Sequence, residues 1–387
     1  MTLEKNMPIT YIYSILMKRV TMPIIIIYFL FNNLNYSEIA LLASISAIIG
    51  LIFEIPAGAI TDKYGKKTMM ILIGICSFFM MFFYFIGTGL FEFIIASIFL
   101  GLWIAFESGT RDALLYDTLI ELKRKDEYKK IYGKMILYSH IGNALILLPI
   151  PLLYSIDIKL PFLIGIVFSI LTIVFGFLIQ EPKIETEKDH KYISSSIKEI
   201  LTNKTIIFML ILMMISFASI FAYSEFKQPL LVISGIEIIY FGVIYAIIRS
   251  LSGIGGILPH KLHNSTLKKY TFCFGIILLI ISFIFSSSNI GHIIIFGILI
   301  ISLTEGILRV SFYDKLNSKI SSQNRTTILS ITSVLQQLYK AVFVLIMGFL
   351  ADFIGLTQMF FPATIILIIA IGLTFIIFKN QVSTIFT

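Results

Sequence analysis

The sequence predicts an all-α integral membrane protein whose twelve transmembrane helices form two pseudo-symmetric halves of six. Three observations lead to this fold class. Of 387 residues, 58% are hydrophobic and only 13% are charged, whereas soluble domains carry about 25% charged residues. Apolar stretches of roughly 20 residues, the length that crosses a bilayer, recur along almost the whole chain. Charged residues inside two of these stretches also repeat along the sequence, as described below.

The spans follow the apolar runs, and each run ends where charged or turn-forming residues begin. The first run contains Lys18 and Arg19 and lacks a small-residue cleavage pattern, so it is predicted to be a membrane helix rather than a signal peptide. The twelve predicted spans lie near residues 9–31, 37–58, 68–87, 93–118, 134–153, 160–180, 206–224, 238–256, 270–287, 292–312, 326–348 and 357–378.

The longest polar stretch, residues 181–205, is predicted to be a cytoplasmic linker. It separates an N-terminal six-helix bundle, residues 1–180, from a C-terminal six-helix bundle, residues 206–387. Within the linker, apolar residues recur at helical spacing, which indicates either a short amphipathic helix on the membrane surface or a disordered connection. These residues are Ile193, Ile197, Ile200 and Leu201.

The basic residues predict the orientation of the protein. Of 30 lysines and arginines, 22 fall in segments that would face the cytoplasm and six fall within spans, while Lys159 and Lys227 lie in predicted outer loops. The positive-inside rule therefore predicts a multi-pass protein of the cell membrane with both termini in the cytoplasm. Such charges contact the lipid bilayer, and their placement argues against nucleic acid as a partner.

Several other classes of protein are disfavoured. Cys76 and Cys273 both lie in apolar runs, so neither a disulfide framework nor a metal site is expected. No glycine-rich nucleotide loop precedes a helix, and no catalytic dyad is recognisable. The sequence therefore predicts neither an enzyme nor an ATP-driven pump, and no cofactor.

The segment between the second and third predicted spans, Gly58 to Lys67, reads Gly-Ala-Ile-Thr-Asp-Lys-Tyr-Gly-Lys-Lys. It matches G-x-x-x-D-[RK]-x-G-[RK]-[RK], the signature loop of major facilitator superfamily transporters, at every specified position. The chain thus resembles this superfamily, and it looks like a bacterial member of its drug-efflux-like branch. The resemblance extends over nearly the whole chain: twelve spans, a central linker and the loop in its expected place.

The resemblance implies that this loop is part of a gate. Gly58 and Gly65 would let the backbone turn tightly, and Asp62 would lie near the N-terminus of helix eleven, where the helix dipole favours a carboxylate. Lys66 would pair with Asp117 at the cytoplasmic end of helix four. These contacts would form when the cytoplasmic side closes and break when it opens. The motif also contributes the basic residues Lys63 and Lys67.

An internal repeat supports two related halves. Glu107 and Arg111 are four residues apart in predicted helix four, and Glu305 and Arg309 are four apart in predicted helix ten, 198 positions later. The same offset places Gly58 on Gly256, in a degenerate copy of the loop. A parallel repeat of six-helix halves is typical of transporters built by duplication. Each pair also precedes a Tyr-Asp dipeptide, namely Tyr116-Asp117 and Tyr313-Asp314.

Charges inside the spans are the candidates for binding substrate or protons, because each costs about 2.5–3.5 kcal/mol to insert. Glu107 and Arg111 are spaced to pair on one helix face; Glu107 is then either a protonation site or half of a buried structural pair. Glu54 either carries a proton or caps the inner end of helix two. The other candidates are Lys18, Arg19, Arg249, Glu305, Arg309, Gln336 and Lys340.

The expected function is secondary active transport of a small molecule by alternating access. The leading hypothesis is proton-coupled export of amphiphilic compounds. The alternatives are uptake of a small anionic solute and, from a different class, a receptor or sensor that retains the transporter fold without net flux. One bundle of twelve helices suffices for the mechanism, so a monomer is expected.

Overall fold

The computed structural model of the chain describes residues 3–183, 191–261, 265–321 and 324–381. Their regular secondary structure is helical, with no strand among them. The helices are α1 Asn6–Leu16, α2 Ile25–Phe31, α3 Tyr36–Ile86, α4 Leu90–Glu107, α5 Thr110–Glu121, α6 Tyr128–Leu147, α7 Ile150–Ile156, α8 Leu160–Leu178, α9 Lys191–Thr202, α10 Lys204–Ile233, α11 Phe241–Lys261, α12 Ser265–Ser286, α13 Gly291–Lys319, α14 Arg325–Ile354 and α15 Phe360–Ile377. Short 3₁₀ turns lie at Leu3–Lys5, Lys125–Glu127 and Ile238–Tyr240.

Within these described ranges, nine helical segments are long and apolar enough to cross a membrane. The 51-residue α3 is one segment but covers two of the predicted spans. Residues Tyr270–Ser286 form a shorter apolar helix, and the first predicted span is divided between α1 and α2. The chain is therefore a multi-pass membrane protein, while the count of twelve spans stays a prediction.

Several predicted spans are wrong as continuous helices. Span 9–31 is interrupted between Leu16 and Ile25, where Pro23 lacks an N–H and disfavours helix in the residue before it. Span 93–118 is interrupted at Gly109, whose φ of +73° is a left-handed conformation that glycine adopts without a steric penalty. Pro149 similarly separates α6 from α7.

The seventh predicted span is too short. Asn203 caps α10, since its side-chain oxygen accepts a hydrogen bond from the Thr205 N–H at 3.0 Å. The helix then continues to Ile233, beyond the predicted end at residue 224. Lys227 consequently lies inside α10 and is buried; its predicted place in an outer loop is wrong.

The chain folds into two compact units. The first contains residues 1–34, 42–187 and 238–242. At its core the Tyr13 hydroxyl donates to the Met70 carbonyl at 2.6 Å, and Asn6 Nδ2 donates to Thr118 Oγ1 at 3.1 Å. Such bonds satisfy buried polar groups where no water is at hand and fix α1 against α3 and α5.

The second unit contains residues 35–41, 188–237 and 243–387. The Tyr223 ring packs against Phe360 with centroids 5.1 Å apart, and its hydroxyl lies 2.6 Å from Ser286 Oγ. The first turn of α3 belongs to this unit. Asp352 of α14 accepts hydrogen bonds from the Tyr36 and Ser37 N–H groups at 2.9 and 2.8 Å, so it caps that helix start.

The polar segment between the halves contains helix α9, Lys191–Thr202, as the amphipathic-helix alternative requires. The side chains of Ile193 and Ile197 lie outside the described residues. Glu199 holds α9 to the α13–α14 connection by accepting bonds from the Ser321 N–H at 2.8 Å and from Asn324 Nδ2 at 2.5 Å. Burial alone would raise the pKa of Glu199, but these bonds outweigh it and hold the pKa below its usual value.

Candidate transport site and cytoplasmic loop

The signature segment is mostly helical rather than an open loop. Residues 58–64 continue α3, and the backbone leaves helical geometry at Gly65, with φ +86° and ψ 162°. The turn predicted at Gly58 is wrong, because it lies in regular helix and a Cβ there would meet no atom within 4 Å. One glycine, not two, supplies the bend.

The φ of +86° favours glycine at position 65, and the Glu181 carboxylate packs against this glycine. The carboxylate accepts hydrogen bonds from the Lys66 N–H at 2.7 Å and the Lys67 N–H at 2.5 Å. A Cβ on Gly65 would lie 2.6 Å from the Glu181 carboxyl carbon, so the Glu181 side chain would have to shift away from these N–H groups. The carboxylate thus caps the helix that restarts here, where the helix dipole favours negative charge.

The predicted contact between Lys66 and Asp117 is present. Lys66 Nζ lies 2.5 Å from Asp117 Oδ2, and the Asp117 side chain is only 4% exposed. Asp62 and Lys63 are exposed, with Lys63 Nζ 5.0 Å from the centre of the Tyr64 ring. The position of Asp62 beside helix eleven stays a prediction. In the repeat, Gly256 lies in α11, and the side chains of His260, Lys261, Lys268 and Lys269 lie outside the described residues.

Two helix breaks in the first unit, the one between α1 and α2 and the one at Gly109, bring charged residues together. Arg19, between α1 and α2, places its guanidinium 5.9 Å from the centre of the Trp103 ring of α4, a cation–π distance. Glu107, the last residue of α4, interacts electrostatically with Lys18 and Arg19 as well as with residues of α5. We call this set the N-terminal charge network: Lys18, Arg19, Glu107, Arg111 and Asp112.

Glu107 and Arg111 form an ion pair, as their i, i+4 spacing predicts, but they do not lie on one continuous helix. The break at Gly109 separates the two residues, and Arg111 Nη1 is 3.9 Å from Glu107 Oε1. Arg111 instead bonds its neighbour, with Nε and Nη2 each 3.1 Å from Asp112 Oδ1. Glu107 is therefore a loosely paired carboxylate close to three cations.

Glu54 lies within α3, which continues for ten residues beyond it before the bend. The alternative that Glu54 caps the inner end of helix two is therefore wrong. Its Oε2 atom is buried and has no hydrogen-bond partner among the described residues. Glu54 remains a candidate proton carrier.

A second network occupies the second unit. Arg309 Nη2 lies 2.8 Å from Glu305 Oε1 within α13, and Lys340 Nζ of α14 lies 2.9 Å from Glu225 Oε1 of α10. Buried Lys227 joins the two pairs, since it interacts electrostatically with both carboxylates and with Arg249. We call this set the C-terminal charge network: Glu225, Lys227, Arg249, Glu305, Arg309 and Lys340.

Beside this network lies a cavity of about 470 Å³, within the usual range for small-molecule sites, roughly 300–1,000 Å³. Arg309, Gln336 and the Tyr313 hydroxyl provide its polar groups. The Gln336 Nε2 atom is buried and has no hydrogen-bond partner among the described residues. We call this space the Arg309 cavity; its lining residues are Phe217, Phe221, Arg309, Val310, Tyr313 and Gln336.

Comparison with known proteins decides the family. A family model described as Major Facilitator Superfamily matches residues 9–342. The chain belongs to the major facilitator superfamily. The described residues have the all-helical fold of that family.

Two proteins of Bacillus subtilis (strain 168) are similar to this superfamily member. The uncharacterized MFS-type transporter YxaM is 27% identical over 242 residues, which cover 58% of this chain and 58% of YxaM. A nitrite extrusion protein is 24% identical over 206 residues, which cover 52% of this chain and 49% of that protein. The chain thus spans about half the length of the curated relatives it matches.

Two solved structures of transporters resemble it in fold alone. The nucleoside transporter NupG has a TM-score of 0.78 at 13% identity, covering 98% of this chain and 100% of NupG. A bacterial homolog of the human lysosomal transporter Spinster, inward-facing and unoccupied, has a TM-score of 0.73 at 13% identity, covering 99% and 97% of the two chains.

Four residues at the two networks and at the Gly65 bend are absent from the site residues predicted from sequence: Asp112, Glu181, Glu225 and Lys227. Glu225 and Lys227 interrupt an apolar run, which resumes after them and ends at Ile233. The apolar residues on the far side are the signal in the sequence for a longer helix. Asp112 and Glu181 carry no comparable signal, because their partners depend on the breaks at Gly109 and Gly65. In the part of the chain that the structure describes, no three His, Cys, Asp or Glu side chains are grouped as metal ligands.

Proposed function

We propose that this chain is a secondary active transporter that exports small amphiphilic compounds in exchange for protons, in the manner of the drug-efflux-like branch of its superfamily. The observation that carries the proposal is the N-terminal charge network at two helix breaks. Irregular backbone at membrane depth is tolerated only where it is buried in protein or lines a cavity. Broken helices that present charged groups are a recurring way to build a transport site.

Glu107 is the proposed proton carrier. Its Oε1 atom lies 3.9 Å from Arg111 Nη1, which is longer than a short charge-assisted bond between these two groups. Lys18 and Arg19 lie within electrostatic range and respond to its change of charge. Proton exchange at Glu107 would alter the charge of the network by one unit and so couple protons to substrate.

The signature segment is the proposed cytoplasmic gate. Lys66 pairs with Asp117 of α5, and Glu181 binds the backbone at the bend of α3. Two separate carboxylates therefore hold the same short segment. We propose that these contacts form in the cytoplasm-closed state and break when the site opens inward, which is the alternation that the mechanism requires.

The Arg309 cavity supports an amphiphilic substrate, because its lining includes aromatic rings as well as a guanidinium and an amide. We further propose twelve spans, a monomer, and residence in the cell membrane with both termini in the cytoplasm. The positive-inside rule supports that orientation. After the correction of Lys227, Lys159 is the basic residue left in a predicted outer loop.

Uptake of a small anionic solute is the second candidate. Counted as ionised, the N-terminal charge network has three cations and two carboxylates, a net charge of +1, and the C-terminal charge network has four and two, a net charge of +2. Both would attract anions. Export remains the first choice, and the name of one relative, a nitrite extrusion protein, also describes export.

Inside-out vesicles distinguish the two directions. A panel of fluorescent amphiphiles is added outside vesicles that contain the protein, with a proton gradient that is acid inside. Export predicts accumulation inside, which a protonophore abolishes. Accumulation in right-side-out vesicles alone supports uptake instead. Binding without any protein-dependent flux in liposomes would favour the receptor alternative.

Glu107→Gln tests the coupling. The variant is expected to lose proton-driven accumulation by tenfold or more (about 1.4 kcal/mol of coupling) while it retains downhill exchange of the same probe. Glu92→Gln, at the N-terminal end of the same α4 helix, serves as the control and keeps the gradient response. Unchanged proton-driven transport by Glu107→Gln would exclude Glu107 as the coupling site.

A further inference from the structure

The Arg309 cavity has one face suited to an apolar body and one suited to a charged group. Phe217 and Tyr313 line it with ring centres 6.3 Å apart, and Phe221 and Val310 extend the apolar wall. Aromatic walls of this kind accept the flat or aliphatic part of a ligand. The polar side chains on the lining are Arg309, Gln336 and Tyr313, whose hydroxyl is its polar group.

Arg309 has donors to offer a ligand. Its Nη2 atom contacts Glu305, yet the side chain remains 55% exposed. A guanidinium carries five N–H donors in a planar fork that matches carboxylate, sulfonate and phosphate groups. Occupation of one nitrogen by Glu305 therefore holds the fork in place and leaves donors for an oxyanion.

Gln336 points to the same ligand chemistry. Gln336 lines the cavity, and its buried Nε2 group has no hydrogen-bond partner among the described residues. A buried donor left unpaired destabilises a protein, and native structures retain such groups where they have a function. An oxyanion in the cavity would accept the hydrogen bond that the amide lacks.

The surrounding charge favours an anion over a cation. Arg309 belongs to the C-terminal charge network, whose four cations exceed its two carboxylates. Each carboxylate already contacts a cation, Glu305 with Arg309 and Glu225 with Lys340. A cationic ligand would have to displace one of these contacts, whereas an anionic ligand would add a contact.

We propose that the Arg309 cavity binds the anionic group of the transported compound, so that the substrates are organic anions with an apolar body. Arg309 and Gln336 bind the oxyanion, and Phe217, Phe221 and Tyr313 contact the body. This inference rests on the proposed transport function and specifies its substrate class and the residues that select it.

Two dyes that differ by one sulfonate test this selection: 1-anilinonaphthalene-8-sulfonate and its uncharged parent, N-phenyl-1-naphthylamine. Binding is measured by titration calorimetry on the full chain in nanodiscs of phosphatidylcholine. Arg309→Gln is expected to weaken binding of the sulfonate about tenfold or more and to change binding of the parent by less than about twofold. Lys319→Gln, an exposed lysine in the last turn of the same helix, removes the same charge and is expected to change neither.

A second variant gives a signature that a structural role would not produce. Gln336→Leu removes the unpaired buried amide, so it should weaken sulfonate binding severalfold while raising the Tm of the ligand-free protein by about 2 °C or more. If Gln336 were instead an internal packing or bonding residue, the substitution would lower the Tm. Glu305→Gln/Arg309→Gln, which removes the pair together, replaces Arg309→Gln if the single variant does not fold.

Two results would overturn the proposal: equal losses for both dyes in Arg309→Gln, or equal losses of sulfonate binding in Arg309→Gln and Lys319→Gln. A lipid headgroup is the other possible source of the anion. If phosphatidylglycerol in the nanodisc competes with the sulfonate in the wild type but not in Arg309→Gln, the cavity is a lipid site, and the substrate assignment fails. These equilibrium measurements need no gradient, so they are independent of whether export itself is proton-driven.

Discussion

In α13, Glu305 Oε1 and Arg309 Nη2 lie 2.8 Å apart within one continuous helix, and the arginine is 55% exposed. The corresponding Glu107 and Arg111 lie on either side of a helix break, their nearest charged atoms 3.9 Å apart, and the Arg111 side chain is 10% exposed. The same spacing of the same two residue types therefore gives a short ion pair with an exposed arginine in one unit and a loose ion pair with a largely buried arginine in the other.

The residues between and after each pair explain this difference. Gly109 occupies the position that Ile307 has in the repeat, and only a glycine adopts its φ of +73° without strain. Asp112 occupies the position of Val310, and it supplies Arg111 with a closer partner. Two residue changes thus convert a helix-stabilising pair into a break with a charge network.

The aspartates that follow the two pairs, Asp117 and Asp314, differ strongly in burial. We expect substitutions at these sites to give the largest difference in unfolding free energy. Asp117 is buried and bonded to Lys66, whereas the corresponding Asp314 is exposed. Lys66→Met leaves Asp117 as an uncompensated buried charge and is expected to cost about 3 kcal/mol of unfolding free energy. Asp314→Asn should stay within about 0.5 kcal/mol. Chemical unfolding of the purified protein in detergent measures both.

Lys66→Met/Asp117→Asn provides the control for this prediction. Removal of both charges should restore most of the lost unfolding free energy, because no unpaired charge remains. If Lys66→Met proved no more destabilising than Asp314→Asn, the Lys66–Asp117 pair would contribute orientation of the loop but no stability.

The contact between Lys66 and Asp117 could be predicted because the motif contains Lys66 and the resemblance to the superfamily implies that this lysine pairs with Asp117. The helix breaks could not be predicted in the same way. Residues 93–118 read as one span, since hydropathy does not report the left-handed φ of Gly109. The cap from Glu181 joins residues more than 100 positions apart, and local pattern carries no record of such a contact.

The break itself can be tested with two glycines that differ only in backbone conformation. A Cβ added at Gly109 or at Gly253 of α11 meets no atom within 4 Å, but Gly109 has φ +73° and Gly253 is helical. Gly109→Ala is expected to destabilise the protein by about 1–2 kcal/mol, the cost of a left-handed residue with a side chain. Gly253→Ala is expected to stabilise it by up to about 1 kcal/mol.

The same unfolding measurements test this prediction through the sign of the change in unfolding free energy that each alanine variant causes. Opposite signs for the two alanine variants would show that the break at Gly109 is a conformational requirement of the folded state. A stabilising Gly109→Ala would mean that α4 and α5 join into one helix, and then Glu107 and Arg111 would pair as Glu305 and Arg309 do.

The smallest expected effect is the coupling energy within the two ion pairs, Glu305 with Arg309 and Glu107 with Arg111. Double-mutant cycles with Gln at both positions should give a coupling energy of about 0.5 kcal/mol for Glu305 with Arg309, in the usual range for exposed i, i+4 pairs. The coupling of Glu107 with Arg111 should be smaller, because at 3.9 Å it lacks the short charge-assisted bond, and Asp112 already engages the guanidinium. A larger coupling for Glu107 would mean that burial outweighs distance. Glu107 would then be held by Arg111 as firmly as Glu305 is by Arg309, and the loose carboxylate on which the proposed proton exchange depends would not exist.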